Sequence, residues 1–208
     1  MKRYAPLVWS LPIAIATGVA VGYHLLWRDP CLTWGTTIDE ASGELPGDVL
    51  MPSPDLVSTR GIEIDAPPEA VWPWIVQMGS GRGGAYTYDW IENLFHLDMH
   101  SADTILPEFQ HLSIGDVIPL GARGPRMRVE LLEHERVLVV RSDDGRWVWA
   151  FVLVPVGPGT RLVSRNRMRL DHMSRPVRVA YTLVMEPGSL VMERKMLLGI
   201  KDRAEGVA

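Results

Sequence analysis

An uncharged apolar run near the N-terminus constrains this chain more than any other feature of its sequence. Residues 7–27 contain no Lys, Arg, Asp or Glu. A helix of about 21 residues rises roughly 32 Å, which is enough to cross a hydrocarbon core of about 30 Å. Trp9, Tyr23 and Trp27 lie near the ends of the run, where amphipathic rings prefer the membrane interface. The sequence therefore predicts a single transmembrane helix within residues 1–28.

The charges on either side of the run indicate its orientation. Lys2 and Arg3 precede it, whereas Asp29 and further acidic residues lie beyond it. On the positive-inside rule, the N-terminus is cytoplasmic and the rest of the chain lies outside the cell membrane. A cleaved signal peptide is the alternative, with Gly18 and Ala20 as small residues for cleavage. Because the apolar run is longer than a usual signal core, we favour an uncleaved anchor.

Composition limits the protein class and the functions open to the rest of the chain. The hydrophobic content of 47% is that of a globular protein, and the net charge of −4 argues against a nucleic-acid partner. With Cys31 as the one cysteine, neither an internal disulfide nor a cysteine metal cluster can form. Residues 29–58 are rich in Pro, Gly and acidic residues and predict an extended linker. Residues 59–208 then form one domain.

The first elements of this domain are a strand and two helices. Ile62 and Ile64 alternate with polar neighbours and predict the strand. Apolar residues at helical spacing predict a helix over 65–78. A second, short helix is predicted from Asp89, with Glu92 completing a capping box. The predicted buried side of the second helix comprises Trp90, Ile91, Leu94 and Phe95.

Antiparallel strands are predicted next, because alternating apolar residues are separated by turn sequences such as Ser-Asp-Asp-Gly at 142–145. Residues 146–154 are apolar in both alternate rows, so both faces of that strand should be covered. On the last strand, 161–170, the row that contains Ser164 and Asn166 should face inward. The opposite row should face water, and it contains Arg161, Arg165, Arg167 and Arg169.

A long helix is predicted over 187–204, with Pro187 in its first turn and Gly206 beyond its end. Glu193 falls in the middle of its apolar arc. If this carboxylate points into a cavity, it marks a functional position. The favoured alternative is a structural ion pair with an arginine from a neighbouring strand or loop. The apolar arc comprises Leu190, Met192, Met196, Leu197 and Ile200.

The order of strand, two helices, antiparallel strands and final helix is the α+β helix-grip arrangement, a curved antiparallel sheet around a long C-terminal helix. Three stretches resemble the START-like SRPBCC superfamily of polyketide cyclase/dehydrase and lipid transport type, in particular its bacterial members with a membrane helix. They are IDAPPEAVWPWIVQMG at 64–79, YTYDWIEN at 86–93 and MERKMLLGIK at 192–201. The resemblance spans about 58–205.

This resemblance implies a cavity between the sheet and the final helix, which holds a lipid, a polyketide or another apolar molecule. The superfamily includes carriers, cyclases and hydrolase-activator domains, so the fold leaves the chemistry open. No catalytic motif of an enzyme subgroup can be transferred residue by residue. We therefore name no catalytic residue, and we expect no cofactor and no metal.

Seven residues besides Glu193 are predicted to contact the ligand. Ser164 and Asn166 can orient it by hydrogen bonds, or can instead satisfy backbone groups. Trp149 shares one face of its strand with Trp147, Phe151 and Leu153. The glycine-rich loop at 79–84 suits a mobile lid at the cavity mouth, with a plain connector as the alternative. The residues predicted around this loop are Gln77, Arg82, Tyr86 and Tyr88.

Two other groups of side chains have less specific patterns. His96, Asp98, His100 and Asp103 are metal-ligand types, but their spacing fits no metal motif, so a polar surface turn is favoured. The arginine row of the last strand suits anionic lipid headgroups, but pairing with nearby acids is favoured. Those acids are Glu130, Glu133 and Glu135.

Three functions remain open from the sequence. The first is a membrane-tethered domain that binds a lipid or other hydrophobic small molecule in an internal cavity. The second is an enzyme of the cyclase or dehydratase kind that uses Glu193 as a general acid or base. The third is a structural or partner-binding module whose cavity is filled by its own tryptophans.

Overall fold

The computed structural model of the chain describes residues 18, 21–122 and 124–206. Six strands form one curved antiparallel sheet. The strands are Leu56–Ile64 (β1), Val117–Pro119 (β2), Arg126–Glu133 (β3), Val137–Ser142 (β4), Trp147–Val156 (β5) and Gly159–Met168 (β6). Their order across the sheet is β1-β6-β5-β4-β3-β2, so the first strand pairs with the last.

The helices lie before, within and after the strands. They are Arg28–Leu32 (α1), which comes directly after a π-helical turn at Tyr23–Trp27, then Ile38–Ser42 (α2), Pro68–Val76 (α3), Asp89–Leu94 (α4) and Arg175–Ala204 (α5). Single 3₁₀ turns occur at Asp48–Leu50 and Pro107–Phe109. The predicted α+β architecture, with a curved antiparallel sheet and a long C-terminal helix, is confirmed.

The main core lies between the sheet and helices α3 and α5. Met196, Leu197 and Ile200 of α5 are buried there, as the apolar arc of that helix predicted. β5 contributes Trp149 and Phe151 to this core. Its alternate residues Val148, Ala150 and Val152 belong to a second apolar cluster, so both faces of β5 are covered as expected.

That second cluster is covered by the segment 36–52, which differs from the extended linker expected from its composition. Met51 is 1% exposed and packs with Val139 and Val163 of the sheet. Thr37 caps α2 through a complete capping box with Glu40. The segment folds onto the sheet because the face beneath it carries apolar residues that would otherwise contact water.

Arg161, Arg165 and Arg167 of β6 bind this covering segment, so the expectation that they face water and pair with Glu130, Glu133 and Glu135 was wrong for these three. Arg169, which follows β6, is exposed as predicted. Arg165 is buried and donates to Asp48 at 2.7 Å. Arg167 lies 3.2 Å from the same carboxylate. Arg161 donates to both carboxylate oxygens of Glu40 at 2.8 Å, and this bond holds the pKa of Glu40 below its usual value.

Helix α5 begins twelve residues earlier than predicted, at Arg175 rather than Pro187. Ser174 is its N-cap and Pro176 lies in its first turn, so the proline signal expected at Pro187 is met by Pro176 instead. Pro187 lies inside the helix. The longer helix extends the wall that faces the sheet.

None of the helices in the described part of the chain has the length and the apolar character needed to cross a membrane. The predicted span, 7–27, lies for the most part outside the described residues.

Candidate functional site

A cavity of about 480 Å³ lies between the sheet, α4 and α5. Its wall is mainly apolar, and seven of the ten methionines of the chain line it. Methionine side chains are flexible and polarisable, so such a wall can adapt to ligands of different shape. The lining methionines are Met78, Met99, Met168, Met173, Met185, Met192 and Met196.

The register of three strands places polar side chains side by side on the sheet wall of the cavity. Arg60 of β1 is opposite Ser164 of β6. Two residues further along β6, Asn166 lies between Ser58 of β1 and Trp149 of β5. Side chains of paired residues on one sheet face are close neighbours. Antiparallel pairing therefore gathers residues from three strands into one polar cluster.

Glu193 of α5 completes this cluster from above. Its Oε1 accepts hydrogen bonds from Ser164 Oγ at 2.6 Å and from Asn166 Nδ2 at 3.1 Å. Its Oε2 pairs with the guanidinium of Arg60. Trp149 Nε1 donates to Ser164 Oγ at 2.9 Å, and Trp147 Nε1 donates to Asn166 Oδ1 at 2.8 Å. Both oxygens of the Glu193 carboxylate are thus engaged by the protein itself.

Arg60 is fully buried, and its remaining bonds connect the cluster to other elements. Its Nε and Nη2 donate to the carbonyl oxygen of Cys31 in α1 at 3.1 and 2.9 Å. Nη2 also donates to Ser189 of α5 at 2.9 Å. The Arg60–Glu193 pair is the kind of structural ion pair favoured from the sequence, and it joins β1, α1 and α5.

A second buried carboxylate of α5, Glu186, also lines the cavity and is 1% exposed. It accepts two hydrogen bonds from Arg28, each at 3.0 Å, and one from the hydroxyl of Tyr23 at 3.0 Å. This carboxylate is therefore fully paired, and it fixes the π-helical turn and α1 against α5.

Glu92 of α4 is the third carboxyl in the cavity wall, and it does not form the capping box that the sequence indicated. It is 8% exposed, and its Oε2 has no hydrogen-bond partner among the described residues. Burial raises the pKa of Glu92, and the charge of nearby Asp89 adds to this effect. Asp89 instead accepts from the backbone and side chain of Ser101.

Helix α4 is also turned the opposite way from the prediction. Trp90, Leu94 and Phe95, which were expected to be buried, are each more than two-thirds exposed, and Ile91 is half-buried. The buried position belongs to Glu92. Trp90 and Leu94 lie roughly 160° from Glu92 around the helix axis, so turning Glu92 inward places both of them outside.

Four of the eight predicted site residues come together at the cavity. Trp149, Asn166 and Glu193 line it, and Ser164 lies directly behind them with hydrogen bonds to Trp149 and Glu193. The other four lie elsewhere.

Gln77 and Arg82 form hydrogen bonds to backbone groups of nearby segments and do not contact the cavity. Gln77 is fully buried; its amide nitrogen donates to Thr104 at 3.2 Å and its amide oxygen accepts from the backbone of Leu106 at 2.9 Å. Arg82 donates to the carbonyls of Met78 and Val76 at the end of α3, at 3.0 and 2.8 Å. Neither side chain lines the cavity.

The two predicted tyrosines do not cap the cavity mouth either. Tyr86 is 1% exposed and donates to the carbonyl of Trp74 at 2.9 Å; burial raises its pKa to about 12. It lies against Gly199 of α5. Tyr88 is exposed and precedes α4. From the loop itself, it is Gly79 that lines the cavity.

The histidine-rich turn forms a polar contact at the surface. His100 lies 3.2 Å from Asp98, and both are well exposed. Asp103 pairs instead with Arg203 of α5 at 2.8 Å. No group of three potential metal ligands occurs in the part of the chain that the structure describes.

Sequence reasoning missed Arg60 and Glu92 as cavity residues. For Arg60 a signal existed, because it lies in the same alternate row of β1 as Ile62 and Ile64. For Glu92 the local pattern indicated the opposite, since the capping box and three apolar neighbours all favoured an outward carboxylate.

No protein-family model matches the chain, and no curated protein matches it. Solved structures do match. The KanY protein is 17% identical with a TM-score of 0.49, over 73% of this chain and 98% of that one. MLL2253 from Mesorhizobium loti is 16% identical (TM-score 0.44; 74% and 99%). The Polyketide_cyc-like protein Cgl2372 from Corynebacterium glutamicum is 18% identical (TM-score 0.36; 76% and 91%).

Proposed function

We propose that this chain binds a lipid or another hydrophobic small molecule in the cavity between the sheet and α5. The single observation that carries the proposal is the cavity itself, about 480 Å³ with a mainly apolar wall. This volume lies within the range of about 300–1,000 Å³ that is typical of small-molecule sites. Burial of apolar ligand surface there would contribute about 25 cal/mol per Å².

The polar cluster at the sheet wall gives such a ligand a preformed surface to bind against. Trp149, Asn166 and Glu193 reach the cavity surface. Trp149 is hydrogen-bonded to Ser164, Asn166 to Trp147 and Glu193, and Glu193 to Arg60, so the wall keeps its shape when the cavity is empty. A preformed wall lowers the entropic cost of binding.

We also propose that the chain is tethered to the cell membrane by residues 7–27, with the N-terminus cytoplasmic and the domain outside. Apolar side chains on the outer surface of two adjoining helices support contact with a bilayer. Leu25, Leu26 and Trp27 are mostly exposed in the π-helical turn that precedes α1. Val177 and Val184 are exposed on the first half of α5, which Glu186 joins to α1 through Arg28.

Mass spectrometry of the full-length chain, released intact from its native membrane, tests the binding function. We expect a co-purified hydrophobic molecule. Met192→Trp should fill part of the cavity and reduce the bound fraction, whereas Val191→Trp, at an exposed position of the same helix, should not. Failure of the parent chain to retain any ligand, together with no uptake of fluorescent lipids, would overturn the proposal.

The tether has its own test. A carbonate wash of the membranes should leave the chain in the pellet, and external protease should digest the domain in intact spheroplasts. Release of the chain into the wash would contradict a transmembrane anchor, and protection from protease would contradict the orientation.

One observation favours the alternative of a cyclase or dehydratase. Glu92 and Glu193 line the same cavity, so two carboxyl groups in different environments face one space. Such pairs divide acid and base roles when their pKa values are pushed apart. However, both oxygens of Glu193 are engaged by protein donors, which leaves it less able to accept a substrate proton. Binding without turnover is therefore our first proposal.

A further inference from the structure

The cavity wall contains two neighbouring polar side chains, Glu92 and Thr87, that form no well-aligned hydrogen bond with each other or with the rest of the described chain. Glu92 Oε2 and Thr87 Oγ1 are both buried and lack such a bond, although the Thr87 hydroxyl lies close enough to lower the pKa of Glu92 against the effect of burial. Both residues line the cavity, outside the Arg60–Glu193 cluster of the sheet wall. Native proteins pair nearly all buried polar atoms, so this exception needs an explanation, and a polar group of a ligand supplies one.

The orientation of α4 also indicates that Glu92 has a function at the cavity wall. Burial of apolar surface alone would turn Trp90, Leu94 and Phe95 inward and would leave Glu92 in water. The helix does the reverse, with Glu92 8% exposed and Trp90 70% exposed. A position where the local pattern is overridden, at the wall of a cavity, is where a functional requirement is expected.

The charges inside the cavity indicate which ligands fit. Arg60 is paired with Glu193, and Glu186 is paired with Arg28, so these buried charges are already compensated. The remaining basic residues of the lining are exposed, at the mouth: Arg146, Arg169 and His172. Among the described residues, no cation next to Glu92 is left to bind a buried anion.

We propose that Glu92 and Thr87 form a second recognition point, which hydrogen-bonds an uncharged polar group on an otherwise apolar ligand. The ligand class is thus a neutral oxygenated molecule, such as a long-chain alcohol, ketone or ester, rather than a fatty-acid anion. This inference rests on the proposed binding function and adds the chemical class of the ligand.

The chemistry of the two side chains suits this role. A neutral carboxyl has one O–H donor as well as acceptor oxygens, and a threonine hydroxyl can donate and accept. Burial raises the pKa of Glu92 against a smaller opposing effect of the neighbouring Thr87 hydroxyl, which favours the neutral form. A ligand hydroxyl can therefore accept from one group and donate to the other, and a ligand carbonyl can accept from either.

A matched series of probes tests the inference: a terminally brominated long-chain alcohol, the corresponding alkane and the corresponding carboxylate. Bromine quenches tryptophan fluorescence, and Trp147 and Trp149 line the cavity. Saturable quenching is measured on the full-length chain in lipid nanodiscs. Partition of each probe into protein-free nanodiscs is measured separately, and the affinities of different probes are compared after correction for it.

For the parent chain we expect the alcohol to bind about three- to tenfold more tightly than the alkane, as one net hydrogen bond implies. It should also bind more tightly than the carboxylate. Glu92→Leu should abolish the preference for the alcohol while the alkane still binds. Glu92→Gln, which keeps a neutral donor and acceptor, should retain most of it, and Glu108→Leu at an exposed site should leave it unchanged.

Three results would overturn the inference. They are equal affinity for alcohol and alkane in the parent, an alcohol preference that survives Glu92→Leu, and tightest binding of the carboxylate. Saturable binding of the alkane would show in each case that the proposed function still stands. If no probe binds the parent saturably, the proposed function fails, and this inference fails with it.

Discussion

Arg60 of β1 and Glu193 of α5, separated by 133 positions in the sequence, form an ion pair in the interior. Arg60 is fully buried and Glu193 is 8% exposed. Two charges removed from water to this degree are tolerated only when they are paired and hydrogen-bonded. This pair therefore fixes the long helix against the edge strand at the wall of the cavity.

Replacing one residue of the ion pair should lower the free energy of unfolding more than replacing both. Arg60→Met or Glu193→Leu alone leaves an uncompensated buried charge and should lower the free energy of unfolding by about 3–5 kcal/mol. The double variant should be more stable than either single one. Urea unfolding followed by tryptophan fluorescence measures all four species. Strictly additive losses would show that the two charges do not stabilise each other.

Glu92 should lower the free energy of unfolding by an amount that increases with pH. Burial holds its pKa above the ordinary value, so the folded chain keeps a proton that the unfolded chain releases. Stability is then full below the ordinary carboxyl pKa of about 4.3 and falls as the pH rises toward the folded-state pKa. Glu92→Leu also removes an unpaired buried group, and it should stabilise the chain by about 1–3 kcal/mol near neutral pH.

Thermal unfolding at several pH values measures this effect. The advantage of Glu92→Leu over the parent should be smaller at about pH 4 than at about pH 7. Glu92→Gln separates shape from titration, because it does not ionise. A constant advantage at every pH would contradict a buried, titrating Glu92. Other ionisable groups of the lining remain in all variants: Arg60, Arg146, Arg169, His172, Glu186 and Glu193, with Asp89 near Glu92.

Two glycines of α5 should respond to alanine with opposite signs. A Cβ on Gly199 would lie 2.5 Å from the carbonyl oxygen of Tyr86, whereas one on Gly188 would meet nothing within 4 Å. Gly188→Ala should therefore raise the free energy of unfolding by about 0.5–1 kcal/mol through helix propensity. Gly199→Ala should lower it by about 1–3 kcal/mol, because backbone must shift. Equal effects in denaturant titrations would disprove close packing at Tyr86.

Asp48 should hold the covering segment 36–52 on the sheet. It pairs with Arg165 at 2.7 Å and with Arg167 at 3.2 Å, and Arg165 is buried. Asp48→Ala should leave Arg165 without its carboxylate and increase hydrogen exchange across the segment more than in the core. Asp39→Ala, at an exposed position of the same segment, is the control. Unchanged exchange in the first variant would exclude this role.

The sequence by itself determined which residues share a face. Period-two alternation assigned Ser164 and Asn166 to the inner row of β6, and helical spacing placed Glu193 in the apolar arc of α5. Both assignments derive from local backbone geometry, which repeats along an element and can be read without knowing its neighbours. The α+β architecture and the long final helix were accessible for the same reason.

Only the tertiary structure decided what lies opposite each face. The arginines of β6 were correctly assigned to the outer row, but their partners Glu40 and Asp48 come from a segment whose composition predicted a linker. Likewise, the inward turn of Glu92 depends on a cavity formed by distant strands and α5. Periodicity indicates on which face of an element a side chain lies. The residue that it contacts there depends on long-range packing, which the neighbouring residues in the sequence do not determine.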